Sequence, residues 1–267
     1  MKKSKNLNRS FMALFLLLLI SSGFSNFGAA QGKQEYYEIR IYRISGKAQE
    51  DKVDAYLKDA YLPALHKAGI AKVGVFKPVE TDTAFGKFVY VFIPFKTIDQ
   101  YSKLPDLLAK DKVYAESGKA FLDAPYNDPP YVRYENILCK AFAGMPQWRD
   151  PMYTNTKSDR IYEYRSYESA TDAKAAKKRE MFNTGGEIAL FEKIGSNAIF
   201  YAEVISGSLM PRLIYMTSYS DMKSHDDHWK AFVDSDGWKK LSGLEEYKNT
   251  VSKVSPYLLH PTSYSDF

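Results

Sequence analysis

Two triplets of alternating polar residues have the types and spacing to do chemistry. Glu38, Arg40 and Tyr42 take every second position of one β-rich run, and Glu163, Arg165 and Tyr167 do so in another. Alternate residues of a strand share a face, so each run presents a carboxylate, a guanidinium and a phenol together. Arg offers a planar fork suited to a carboxylate or phosphate, and Glu or Tyr can move a proton. If the helix-covered face of each strand is the apolar one, these triplets look into the space between two sheets. All six groups then approach one cavity and bind a small polar or anionic molecule. The plainer alternative is that each Glu simply neutralises its Arg.

Other candidates are weaker. His225-Asp226-Asp227-His228-Trp229 places two imidazoles three apart, on one helical face. A zinc site needs more ligands, and only His66 and His260 remain as other imidazoles, so no metal is expected. The alternative is an exposed helix start, with Asp226 and Asp227 favouring its positive end. Cys139 is the only cysteine and sits in the apolar stretch Ile137-Leu138-Cys139. It forms no intrachain disulfide, and a buried inert thiol is expected. The run from Lys174 to Arg179 reads as a solvated helix face. Gly185-Gly186 reads as a helix kink or a close helix–sheet approach. No phosphate-binding glycine loop or nucleophile elbow occurs, and no cofactor is expected. The 21 tyrosines belong mostly to cores and interfaces.

The triplets fall within a wider pattern. Tyr37-Glu38-Ile39-Arg40-Ile41-Tyr42 returns as Tyr162-Glu163-Tyr164-Arg165-Ser166-Tyr167, an offset of 125 residues. Val73–Phe76 and Val89–Val91 meet Ala198–Tyr201 and Ile214–Met216 at the same offset. A constant offset predicts two copies of one supersecondary unit. Each reads strand, helix, strand, strand, helix, strand: the ferredoxin-like order. In the first unit, Tyr36–Ile44, Ala71–Lys77, Lys87–Phe95 and Tyr131–Phe142 are strands. Lys47–Lys67 is a helix that Pro63 should kink or divide, and Thr97 caps a second helical region. In the second unit, Asp172–Phe191 is a helix, and Ser220 or Asp221 caps another. The fold class is α+β: units 36–145 and 159–260, joined by a Pro-containing linker at 146–158. Such a sheet is covered on one side only. Two units can therefore close sheet to sheet into an intrachain α/β barrel.

Residues 1–30 read as a secretory signal peptide. Lys2, Lys3, Lys5 and Arg9 precede the apolar run Phe11–Ile20, and Gly28-Ala29-Ala30 supplies small residues for cleavage before Gln31. A periplasmic or secreted protein is expected, with no membrane span after cleavage. The whole chain carries +5, but those four cations go with the signal, leaving 33 positive against 32 negative residues. That balance gives no electrostatic reason to expect nucleic acid.

The second unit resembles the NIPSNAP family. The resemblance is carried by Ile161–Tyr167, by Arg212–Tyr219 and by Ala231–Leu241, in which an acidic residue stands two before Trp238. The first unit resembles it less closely: Asp111 aligns with Asp236, but Val113 stands where Trp238 does. The resemblance implies a ferredoxin-like, α/β-barrel fold. It implies no reaction and no catalytic residues. The expected function is binding of a small polar or anionic molecule in the barrel cavity by Glu38, Arg40, Tyr42, Glu163, Arg165 and Tyr167. The alternatives are a cofactor-free monooxygenase- or isomerase-like enzyme and a protein-interaction scaffold. The sequence does not decide whether the protein is an enzyme, and it allows a homodimer.

Overall fold

A computed structural model describes residues 32–267. The expected signal peptide lies outside the described residues. The first half runs β1 (Tyr36–Arg43), α1 (Lys47–Tyr56), a π-helical turn (Leu57–Tyr61), α2 (Leu62–Lys67), β2 (Gly74–Pro78) and β3 (Phe88–Phe95). It continues through α3 (Ile98–Lys110), α4 (Lys112–Ser117) and α5 (Lys119–Leu122) to β4 (Arg133–Ala141). The second half runs β5 (Ile161–Glu168), α6 (Asp172–Asn183), α7 (Glu187–Lys193), β6 (Asn197–Ser206) and β7 (Arg212–Tyr219). It ends with α8 (Met222–Asp234), α9 (Asp236–Ser242) and β8 (Lys253–Pro261).

All eight strands form one closed barrel in the order β1-β3-β2-β8-β5-β7-β6-β4. Every ladder is antiparallel. Each half contributes four neighbouring strands in equivalent order. The halves meet at two seams, β2 with β8 and β4 with β6. Closure leaves no edge strand exposed.

Local chemistry sets the element ends. Thr97 accepts from the Gln100 amide and starts α3, as its position predicts. Asp221 does the same for α8 through Ser224. Pro63 has no amide hydrogen to give, and the helix accommodates it through the π turn just before it, where the Leu62 amide bonds to the Leu57 carbonyl. The helix is thus divided, as expected. Gly186 takes φ 97° between α6 and α7, a left-handed conformation suited to glycine. At Gly185 a β-carbon would come within 2.9 Å of the Tyr247 hydroxyl and closer still to the Met181 backbone. The pair therefore makes both a break and a close approach.

Three cores follow from the alternation. Inside the barrel lie Tyr37, Phe92, Phe200, Phe76, Tyr162 and Tyr164 with aliphatic neighbours. Outside it, α1–α3 cover Val75, Val89, Val91 and Ile93 in the first half. In the second half, Phe182, Phe191 and Phe232 of the helices cover Tyr201 and Tyr215.

This arrangement corrects the expected orientation of the polar triplets. Tyr42 and Tyr167 lie in the two outer cores, not in the barrel core. Glu38, Arg40, Glu163 and Arg165 alternate with Tyr37, Ile39, Tyr162 and Tyr164, which point inward. The physical reason is enclosure. An eight-stranded barrel is just wide enough to be filled by side chains, so the more apolar set of each strand goes inside. The helix layer leaves margins at which an Arg reaches solvent.

Candidate functional site

Each triplet is drawn together within its own half. Arg40 pairs with Glu38 at 2.8 Å, donates to Asn136 Oδ1 at 3.0 Å and to the Tyr42 hydroxyl at 3.4 Å. Its guanidinium also lies over the Tyr61 and Tyr134 rings. Arg165 pairs with Glu163 at 2.6 Å, donates to Tyr167 at 3.2 Å and lies 4.4 Å from the Trp229 ring centroid. The six residues do not meet in one cavity. They form two separate clusters under separate helical layers, with each Glu ion-paired to its Arg.

The second cluster recruits the histidine motif. Trp229 of α8 donates its indole hydrogen to Glu163, and His225 Nε2 lies 3.4 Å from the same carboxylate. Burial pushes the Glu163 carboxyl up, but His225 and Arg165 outweigh it and hold it below 4.5. Burial pushes the His225 imidazole down, but Glu163 and Asp226 outweigh it and hold it above 6.5. The motif does lie at the start of α8 with Asp226 and Asp227 exposed, but His225 itself is largely buried against the sheet. His228 Nδ1 donates to the Ser224 carbonyl. Among the described residues no group of three or more His, Cys, Asp or Glu is placed to hold a metal.

Two other expectations resolve individually. Cys139 is free and fully buried, and burial pushes its thiol up to about 12. Lys174 of the basic run is solvated, but Lys178 turns inward. It pairs with buried Glu187 at 2.7 Å and sits over the Phe182 ring. A cation beside an enclosed aromatic layer is tolerated when it is paired.

The two ends of the barrel differ. One is plugged: Trp148 and Phe267 pack on Phe92, which stacks on Phe200 with centroids 4.8 Å apart. The other opens into a cavity of ≈ 220 Å³ lined by Tyr90, Tyr164, Tyr257, Ser166, Glu135 and Arg212, among others. The three tyrosine rings touch one another, with centroids 5.5–6.1 Å apart. They make one continuous aromatic wall. Arg212 is 4% exposed. It reaches this end because Ile214 and Met216, its alternates on β7, point inward. Its Nη2 donates to Glu135 Oε1 at 3.0 Å and its Nη1 to Ser166 at 3.4 Å, while its Nε–H has no acceptor among the described residues. The Tyr164 hydroxyl is also buried without a partner. Burial pushes its pKa well up, opposed by the Arg212 charge. Lys253 pairs with Glu168 at 3.6 Å on the rim.

Two unpartnered polar groups at one cavity are unusual in a native interior. Each costs about 1–3 kcal/mol unless something else bonds to it. Larger hollows of ≈ 370 and ≈ 340 Å³ lie on the outer helical surface of the first half, and one of ≈ 470 Å³ lies beside Tyr153, Asn155 and Asp221. No unpartnered buried polar atom of the described residues lines them. The barrel mouth is therefore the candidate site. Sequence reasoning missed Arg212 and Glu135. The available signal was a charge sharing a strand face with an otherwise apolar set: Ile214 and Met216 for Arg212, Ile137 and Cys139 for Glu135.

Together, the closed sheet, the outer helices and the one open mouth define an α/β barrel built within a single chain. Solved structures share this fold. An inferred monooxygenase from Fusobacterium nucleatum subsp. nucleatum is 11% identical, the match covering 86% of this chain and 93% of that one with a TM-score of 0.53. An inferred monooxygenase from Lactobacillus acidophilus NCFM is 11% identical, with 86% and 94% covered and a TM-score of 0.52. An anthrone oxidase-like protein is 8% identical, with 86% and 92% covered and a TM-score of 0.51. At such identities the likeness shows the fold alone. Residues 162–266, in the second half of the chain, match the NIPSNAP family model. No curated protein matches the chain by sequence.

Proposed function

We propose that the protein binds a small polar or anionic molecule at the open mouth of its barrel. The reading rests on one observation above all: buried Arg212 and Tyr164 line a cavity there and leave donors without acceptors. The cavity is smaller than most drug-sized sites, so the molecule is small. Arg212 would anchor it by a charge-assisted bond, and the tyrosine wall would cover its body. The outer Glu–Arg–Tyr triplets take no part, because their polar groups already satisfy one another. The signal-like residues 1–30 support a site working outside the cytoplasm. N-terminal sequencing of the native protein tests that part, and an intact Met1 in the mature pool would refute it.

Native mass spectrometry of protein taken from its own host tests the binding. A retained small molecule, absent from an Arg212→Met variant that keeps its melting temperature, is the expected result. Identical, ligand-free spectra for both, with no response of the cavity to added carboxylates, would end the proposal. A second reading, oxidation of the bound molecule without a cofactor, draws on the names of the structural neighbours and on the same cavity. Oxygen uptake with the retained molecule as substrate would support it, and an unchanged molecule after long incubation in air would remove it.

A further inference from the structure

Resting on that reading, we infer that the ligand is a small arenecarboxylate whose carboxylate displaces Glu135 from Arg212. The unspent groups of the cavity set the sign of the charge. They are an Arg Nε–H and a phenol O–H, both able to donate, so the missing partner is an acceptor. The acidic side chains there are already engaged: Glu135 with Arg212 and Glu168 with Lys253. An ammonium ligand would have to compete with a resident cation for either of them. A carboxylate instead meets a donor that has no competitor at all.

Glu135 shows how that carboxylate would sit. The Nε–H and one Nη2–H of a guanidinium lie side by side and fit the two oxygens of one carboxylate. Glu135 engages Nη2 through one oxygen and leaves Nε empty. It approaches from the exposed start of β4, and its side chain is 36% exposed. The same oxygen also accepts from Ser208 in the β6–β7 loop. It is thus a resident carboxylate on one arm of a two-armed fork, free to swing into water. A ligand filling both arms gains the bond Glu135 leaves unmade.

The body of the ligand follows from the wall. Tyr90, Tyr164 and Tyr257 are too close to one another to admit a ring between them. They therefore offer a surface, with Ile41 and Phe88 beside it. A single flat ring covers such a surface at ordinary aromatic contact distances. A ring bearing an acceptor away from its carboxylate would also reach the Tyr164 hydroxyl.

Benzoate, acetate and benzylamine serve as probes in NMR titrations of residues 32–267 as they occur in the whole chain. Benzoate should shift cavity resonances and bind at least tenfold more tightly than acetate. Arg212→Lys keeps the charge but loses the fork, and should weaken benzoate about tenfold, the worth of one hydrogen bond to a charged group. Glu135→Gln removes the competing carboxylate and should tighten benzoate by about the same factor. Benzylamine binding in preference to benzoate, or Glu135→Gln weakening benzoate, would overturn the arenecarboxylate and leave the cavity itself as a binding site. No shift with any of the three probes would overturn this inference, and only if native mass spectra were also ligand-free would the binding reading fall with it. Should Arg212→Lys fail to fold, Glu135→Gln alone decides between displacement and direct binding by Glu135.

Discussion

The inner and outer faces of the same strands solve the polar-group problem in opposite ways. On the outer face, Glu163 is surrounded by Arg165, Trp229 and His225, and Glu38 by Arg40. Both Glu–Arg pairs there are closed, although His225 Nε2 and the Tyr61 and Tyr201 hydroxyls have no hydrogen-bond partner among the described residues. On the inner face, polar groups are few, and at the mouth two of them are left without partners. The number of charges is thus a poor guide to function in this fold. What sets the mouth apart is that its two unpartnered groups, on Arg212 and Tyr164, belong to residues lining a cavity that can admit something to complete them.

Four measurements break or sharpen this contrast. The largest effect belongs to the plugged end of the inner face. Phe92 is 1% exposed and touches Tyr37, Phe200, Trp148 and Phe267. Phe92→Ala should cost about 3–5 kcal/mol in denaturant unfolding; a loss under about 1 kcal/mol would mean that this end is not a packed core.

Next come the outer pairs. Arg40→Met strands Glu38 and should cost about 3 kcal/mol, the low end for a buried pair because Arg40 keeps 17% of its side-chain exposure. Arg165→Met should cost about 1 kcal/mol less, since His225 remains beside Glu163. Adding Glu163→Gln to Arg165→Met keeps an acceptor for Trp229 and should restore most of the loss. Equal losses for both Arg variants would show that His225 contributes nothing to the outer network.

The pH dependence of that network is smaller and has a definite sign. His225 is raised above 6.5 by folding, so its contribution is full below 6.5 and is lost as pH rises through its folded value. Glu163 is lowered below 4.5, so its contribution is full above 4.5 and is lost as pH falls through its folded value. The melting temperature of the wild type minus that of His225→Gln should therefore be greatest between pH 4.5 and 6.5. It should shrink on the alkaline side, and a difference that grows there would contradict the pairing.

The smallest effect marks the mouth. Tyr164→Phe removes a buried hydroxyl that bonds to nothing. Stability should change by less than about 0.5 kcal/mol or rise. A loss above about 1 kcal/mol would mean that the hydroxyl has a partner within the folded chain.

The sequence made the element order legible because its signals are local. Thr97 and Asp221 cap where their side chains predict, and the strand runs stand where β-formers alternate. The fold class followed from the spacing of those runs. The direction of the alternation did not. Tyr37-Glu38-Ile39-Arg40 says that two faces differ, but which face is the more enclosed depends on whether the sheet closes on itself, a property of all eight strands together. The candidate site was hidden for the same reason. Arg212 and Glu135 lie 77 residues apart, on strands that are not neighbours in the barrel order; Arg212 opens a stretch that carries the family resemblance, but the resemblance gives it no role, and Glu135 stands in no motif. Only closure brings them into one mouth.

The two seams carry a last consequence. Within each half, β1 with β3 and β5 with β7 align over eight positions. Between the halves, β2 and β8 align over three, and β4 with β6 over four with a bulge. The two seams are thus among the shortest ladders of the barrel, matched inside a half only by β2 with β3, which also aligns over three. Nothing in the hydrogen-bond pattern requires the partner half to come from the same chain. Refolding at high concentration should let halves trade places, giving a swapped pair with two barrels, each holding one half from each chain. Size-exclusion chromatography after dilute and concentrated refolding would reveal that exchange.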